Sequence, residues 1–204
     1  MAVELSNKNG RDAGPDGRRQ RSERSRQAII DAAIALAREG TLVPTAQQIS
    51  ERAGVGIRSF FRHFVDMETL FTAMDLQCRE SVEALFIGGN REGTLAERIL
   101  HAVERHAAGF ENQRHSILST SAQSWRYDVL RKSYARYQRG LRKDLDDWLP
   151  ELGEVSVPVR HAIDAAASPE MWFRLRDHQG LSKKAAIEVV VETIEKLMDV
   201  ETGQ

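Results

Sequence analysis

Four polar residues lie close together in one short stretch of the chain, and their chemistry suits the recognition of a polyanion. The stretch is residues 45–64, TAQQISERAGVGIRSFFRHF, and the four are Arg58, Ser59, Arg62 and His63. A guanidinium can donate two parallel hydrogen bonds, either to O6 and N7 of guanine or to a phosphate. No acidic residue lies among the four. The charge of this segment therefore favours DNA as the partner.

The same stretch predicts the two short helices that would position these side chains. Thr45, with Gln48 three residues later, makes a capping box, which marks the start of a helix. Gly54 permits the left-handed backbone of a tight turn, where a Cβ would clash. Two short helices joined by such a turn form a helix-turn-helix, whose second helix enters the major groove of DNA.

Contacts with DNA are expected from both helices of this motif. Thr45, at an exposed helix start, can offer a hydroxyl and a backbone N–H to a phosphate, while Arg58 and Arg62 can reach bases. The expected contact residues are Thr45, Gln47, Arg58, Ser59, Phe61, Arg62 and His63. Other roles remain open, since the arginines could only solubilise a helix face, Phe61 could belong to the core and His63 could pack beneath the turn.

Residues 25–70 resemble the tetracycline-repressor (TetR) family of bacterial regulators. That family has the pattern IxxAAxxLxxxxG, then TxxxIAxxAGVsxxxLYxYFxsKexL, and this chain reads AIIDAAIALAREG, then TAQQISERAGVGIRSFFRHFVDMETL. The chain departs from the pattern at Ser50, Phe61, His63 and Met67, and it thereby lacks a tyrosine hydroxyl and a lysine that would bind phosphate. The resemblance implies a homodimer that usually represses transcription, with a C-terminal domain whose small effector loosens DNA binding.

The remaining apolar periodicity is helical throughout and predicts an all-α protein of about nine helices. We expect a disordered basic tail at residues 1–20 and a three-helix DNA-binding domain, the helix-turn-helix domain, at residues 21–68. A helical domain for effector binding and dimerisation is expected at residues 69–204. The first helix should begin near Ser22, and another should run from Trp125 to Trp148. The Ser168-Pro169 dipeptide predicts either a kink or a new helix start.

Charge is distributed unevenly, although the net charge of the chain is only −1. Residues 1–65 hold 11 basic and 7 acidic residues, whereas the remainder holds 18 and 23. A polyanion should therefore meet the N-terminal part. The arginines ahead of the motif could follow the DNA backbone, enter a minor groove, or be merely solvated; they are Arg18, Arg19, Arg21, Arg24 and Arg26.

Two further sets of residues are candidates in the C-terminal part. Large aromatic side chains suit a pocket for an apolar ligand, although most of them should be core; the candidates are Phe110, Trp125, Tyr134 and Trp172. An apolar stripe on the last helix predicts a four-helix dimer interface, or else packing within one chain. The stripe consists of Ile187, Val190, Val191, Ile194, Leu197 and Met198.

Other classes of protein are disfavoured by what the sequence lacks. It has no GxSxG, HExxH, phosphate-binding glycine loop or paired Glu-x-x-His motif, so an enzyme is not expected, and neither is a cofactor or a metal. The single cysteine, Cys78, predicts a reducing cytoplasm and a buried thiol, with a sensing role left open. No apolar run is long enough for a signal peptide or a membrane span.

The expected partners are operator DNA, a second copy of the chain and an unidentified small effector. An activator and a ligand-independent regulator remain alternatives to a repressor.

Overall fold

The computed structural model describes residues 15–202, and every regular element in that range is helical. The nine α-helices there are α1 (Pro15–Arg38), α2 (Ala46–Arg52), α3 (Ile57–His63), α4 (Met67–Glu83), α5 (Leu95–Gln123), α6 (Asp128–Trp148), α7 (Val157–Ala166), α8 (Pro169–Phe173) and α9 (Lys183–Thr202). The predicted all-α class and the number of helices are confirmed. No helix in the described part of the chain is long and apolar enough to cross a membrane.

The molecule has two separate apolar cores, and α4 connects the helices that form them. The first core lies among α1 to α4 and is built on fully buried Ile29, Ile49 and Phe60. The second lies among α5 to α9, where α5 packs against both α6 and α9. Because α4 contacts both α1 and α6, a shift of α4 would change the packing of both cores.

Most helix starts follow the local signals of the sequence. Asp66 caps α4 through its carboxylate, which accepts from the N–H of Thr69 at 2.8 Å. Thr94 and Glu97 form the capping box of α5. At Ser168-Pro169 a new helix, α8, begins, rather than a kink within one helix. The Ser168 hydroxyl accepts from the N–H of Met171, and proline occupies the first helical position.

Two predicted boundaries were wrong. The first helix begins at Pro15 rather than near Ser22, so residues 15–20 of the expected disordered tail are helical, and residues 1–14 lie outside the described residues. Proline suits a first helical position, and the acidic side chain of Asp16 complements the helix dipole there. The helix expected from Trp125 begins at Asp128, because the backbone turns at residues 124–127.

The apolar stripe on α9 packs largely inside its own chain, which corrects the predicted dimer interface. Val190, Ile194 and Met198 are at most 4% exposed and belong to the second core. They are therefore not available to a partner. The other three residues are half-buried at the edge of that core; they are Ile187, Val191 and Leu197.

Candidate nucleic-acid interface

The turn between α2 and α3 has the geometry that the sequence predicts. The hydroxyl of Thr45 accepts from the N–H of Gln48 at 3.2 Å, and the Gln48 side chain accepts from the N–H of Thr45 at 2.9 Å. Gly54 has φ +66°, a left-handed conformation that any other residue would strain. The N–H of Val55 then donates to the carbonyl of Ser50 at 3.0 Å, which closes the turn.

Close packing holds α3 in place behind this turn. Ile49 on α2 and Phe60 on α3 are fully buried, and the side chain of Ser50 is only 1% exposed. Ser50 satisfies its buried hydroxyl by donating to the carbonyl of Ala46 at 2.7 Å. A small residue that bonds to its own helix fits where α2 and α3 lie close together. The exposed side chains of α3 are therefore carried on a rigid support.

The outer face of α3 is basic. Arg58 and Arg62 are both exposed, and their spacing of four residues puts them on one side of the helix. Neither pairs with a carboxylate anywhere in residues 15–202. Phe61 beside them is 53% exposed, and Ser59 is half-buried. This face presents two free guanidinium groups and one aromatic ring to whatever approaches it.

His63, at the end of α3, lies partly against α1. Its Nε2 is buried without a hydrogen-bond partner. Burial, followed by the nearby charges of Arg62 and Arg26, lowers the pKa of this imidazole. This shift favours the neutral form of the ring, and its contact with DNA stays a prediction.

The two candidate residues on α2 are exposed but already have partners inside the chain. The Thr45 hydroxyl serves the capping box, and the Gln47 amide donates to the carboxylate of Glu51 at 2.6 Å. A phosphate at Thr45 would meet the free N–H groups at the start of α2. Gln47 would have to leave Glu51 before it could bind a base.

Sequence reasoning missed that the N-terminal part of α1, residues 15–26, extends past the helix-turn-helix. We call this arginine-rich part the basic rod of α1. The guanidinium of Arg26 lies 5.3 Å from the ring centroid of Phe64, so this part of α1 runs beside the end of α3. Arg19 comes seven residues earlier, which is two helical turns away on the same face. Arg24 points to the opposite side of the helix. All of the arginines from Arg18 to Arg24 are exposed.

A cavity of about 410 Å³ lies between the DNA-binding helices and the rest of the molecule. Its walls come from α1, α4, α5 and α6, and Pro44 from the loop before α2 also contributes. Phe71, Phe86 and Tyr137 provide aromatic surface. Cys78 also lines the cavity, and burial raises the pKa of its thiol. The cysteine is thus half-buried in a cavity wall rather than a core residue as expected.

None of the four aromatic residues suggested as ligand contacts lines this cavity. Phe110 and Trp172 pack on each other in the second core, with centroids 6.4 Å apart. Trp125 is 82% exposed in the turn before α6. Tyr134 donates to the carboxylate of Glu170 at 2.6 Å. Contact of these four residues with a ligand stays a prediction, since aromatic content alone does not indicate which wall a ring will join.

The fold and this surface define a helix-turn-helix DNA-binding unit joined to a helical domain. Residues 29–74 match the sequence model of the bacterial regulatory proteins of the tetR family. Among curated proteins, none matches the sequence significantly. The resemblance to that family seen in the sequence is thereby confirmed over these residues.

Solved structures share the fold over most of the chain. A TetR transcriptional regulator from Rhodococcus sp. RHA1 has a TM-score of 0.53 at 17% identity, covering 86% of this chain and 96% of its own. A TetR-family regulator from Rhodococcus sp. has a TM-score of 0.55 at 18% identity, with coverages of 85% and 98%. One from Mesorhizobium loti MAFF303099 has a TM-score of 0.54 at 16% identity, with coverages of 88% and 98%. At these identities the structures establish a common fold.

Proposed function

We propose that the protein is a repressor that binds a near-palindromic operator as a dimer and leaves it when a small effector binds. The observation that carries the proposal is the basic face of α3. Arg58 and Arg62 stand there without acidic partners, on a helix that is fixed by the buried residues behind it. Such a pair can read guanine in a major groove, with Ser59 and Phe61 beside it.

Contacts to the DNA backbone would orient α3. The start of α2 at Thr45 can bind one phosphate through its free N–H groups. The basic rod of α1 supplies further cations that continue from Arg26, next to α3, outward to Arg19. We assign the Arg19 face of this rod to phosphates that flank the bases read by α3.

Dimerisation is proposed through the outer side of the C-terminal helices. The residues of α9 that remain for a partner are half-buried Ile187, Val191 and Leu197 together with Val189, which is 40% exposed. Val157, at the start of α7, is 68% exposed, and α7 packs against α9. A two-fold axis through this region would place two α3 helices in successive major grooves, roughly 34–36 Å apart or a multiple of that distance.

Release by an effector is proposed through the cavity. A ligand there would touch α1 and Pro44 on the DNA-binding side as well as α5 and α6 on the other side. It would weaken DNA binding only to the extent that it binds the released arrangement more tightly than the bound one. The volume of the cavity suits a small organic molecule.

Selection from random duplex DNA by the purified protein tests this function. We expect sequencing of the retained DNA to reveal an inverted repeat, which would also serve as the probe for effector screening. A folded dimer that enriches no sequence would rule out specific DNA recognition. A selected operator that no ligand releases would leave the DNA-binding part standing and remove the effector part.

A further inference from the structure

The inside of the cavity is apolar, whereas its mouth is basic. Apolar and aromatic side chains form much of the wall, among them Ile34, Phe71, Met74, Phe86, Leu130 and Tyr137. Seven charged residues also line the cavity, and five of them are basic. The basic residues Arg38, Arg79, Arg139 and Lys143 are exposed and so lie at the open side. A ligand entering here would pass cationic groups and then meet a hydrocarbon surface.

The acidic residue that lies deepest in the cavity is already neutralised by the protein. Asp75 binds Arg79 at 2.9 Å and also pairs with Arg136, and the hydroxyl of Ser133 donates to it at 2.7 Å. Burial opposes ionisation of Asp75, but these hydrogen bonds and the charge of Arg136 hold its pKa below the ordinary value. Asp75 therefore has little capacity left to attract a cationic ligand. The other acidic residue, Glu83, is exposed at the end of α4 next to Arg79.

Two of the basic residues have no such partner. Arg38 on α1 and Arg139 on α6 form no salt bridge or side-chain hydrogen bond within the described part of the chain. They come from different walls of the cavity. The charge of Arg38 acts on the thiol of Cys78, where it lowers the pKa against the larger effect of burial. Two unpaired guanidinium groups at the mouth of an apolar cavity form a receptor for an anionic group.

We propose that the cavity binds a small organic anion, with an apolar body between the helices and a carboxylate or similar acidic group held by Arg38 and Arg139. This assignment rests on the proposed function, since it takes the cavity to be the effector site. Bound in this way, the anion joins α1 of the DNA-binding unit to α6 of the other domain. A neutral ligand of the same shape would fill the cavity but leave both arginines unpaired, and a cationic one would be repelled at the mouth.

Three probes with the same hydrocarbon chain test the charge preference: decanoate, decanol and decylamine, each used below its aggregation concentration. Binding to the full chain is measured by calorimetry and by protection of Cys78 from N-ethylmaleimide. Cys78 is the only cysteine and lines the cavity, so its labelling rate reports occupancy of this site. We expect decanoate to bind at least tenfold more tightly than decanol, to slow labelling, and to outcompete decylamine.

Variants locate the site of the anionic group. Arg38→Gln and Arg139→Gln should each weaken decanoate binding by about tenfold, the size expected for one charge-assisted hydrogen bond, and leave decanol unchanged. Arg174→Gln is the matched control, because Arg174 is equally exposed, carries the same charge and does not line the cavity. Equal affinities for the three probes, or variants that bind decanoate like the control, would overturn the proposal.

The outcomes for the ligand and for the regulator can be separated. If decanoate binds as expected but the selected operator is not released, the anion site stands and the effector role of the cavity fails. If the operator is bound specifically while decanoate neither binds nor protects Cys78, the anion assignment fails and the DNA-binding proposal stands.

Discussion

The side-chain amide of Gln123, near the end of α5, donates a hydrogen bond of 3.0 Å to the carbonyl of Leu42, in the loop that leads into the helix-turn-helix. The hydroxyl of Ser119 donates to the same carbonyl at 2.9 Å, and Nδ1 of His115 contacts the carbonyl of Arg38 at 2.9 Å. These three residues of α5 are spaced by four and share one face of the helix. The helix that lines the cavity therefore also holds the loop before α2.

Replacing Gln123 tests how strongly α5 holds that loop. Gln123→Leu keeps most of the side-chain volume but removes the donor to Leu42, while Ser119 still bonds to the carbonyl. We expect the free energy of unfolding to fall by about 1 kcal/mol, the net value of one such hydrogen bond. Urea denaturation measures this change, with Gln179→Leu as a control at an exposed glutamine outside the loop contact. Equal stabilities of the two variants would mean that the bond contributes nothing to holding the loop.

His63 predicts a pH dependence of stability. Its pKa is lowered in the folded protein by burial, then by Arg62 and Arg26, so the unfolded chain binds the proton more readily. The stability associated with the neutral ring is present above the unfolded pKa of about 6.5 and is lost as the pH falls through the folded value. Unfolding measured in urea at pH 7.5 and at pH 5.5 should show this loss. His63→Gln should reduce it, whereas His161→Gln, at an exposed position on α7, should not. An unchanged pH profile in His63→Gln would refute this role.

Arg62 is expected to contact a base. Arg62→Ala should weaken binding to the selected operator by about 1–3 kcal/mol and leave non-specific binding nearly unchanged. If Arg62 binds only a phosphate, both kinds of DNA should weaken alike and the salt dependence should drop by about 0.9 for each phosphate that is no longer bound. Fluorescence anisotropy with operator and scrambled duplexes at several salt concentrations distinguishes the two cases. The same affinities as wild type on both duplexes would exclude Arg62 from the interface.

Arg19 is expected to bind a flanking phosphate from the basic rod of α1. Arg19→Gln should lower the slope of log affinity against log salt by about 0.9 for each protomer, without altering the preferred sequence. Arg24→Gln makes the same charge change five residues away, on the opposite side of the helix, and should leave the slope almost unchanged. Anisotropy titrations of the two variants against the operator measure both slopes. Identical slopes would show that the rod acts through its general charge, or not at all.

The parts of the structure that local signals encode were predictable from the sequence. The capping box at Thr45, the turn at Gly54 and the N-cap at Asp66 each depend on residues a few positions apart, and all three are present. The extension of α1 to Pro15 gave only the weak start signal of Pro15-Asp16, because residues 16–24 are polar and mostly exposed and therefore show no apolar period.

Features that depend on the pairing of distant helices were not predictable. The apolar period around Ile194 on α9 correctly indicated burial, but a period does not say whether the partner is the same chain or another copy. The cavity is formed by four helices and a loop, so the role of Arg139 or Cys78 in its wall depends on tertiary packing alone. The candidate DNA contacts, by contrast, could be predicted from the sequence because they lie within one short motif.

The spacing of the two halves of the operator tests the central claim most directly, because it measures how far apart the two α3 helices are held. On the selected inverted repeat, we would insert about 5 base pairs between the half-sites, which turns the second half-site to the opposite face of the duplex. Anisotropy titrations compare this duplex with the original. The account predicts that affinity falls to that of scrambled DNA, since one dimer can no longer place both helices in their grooves. Unchanged affinity would contradict it, because the half-sites would then be bound independently.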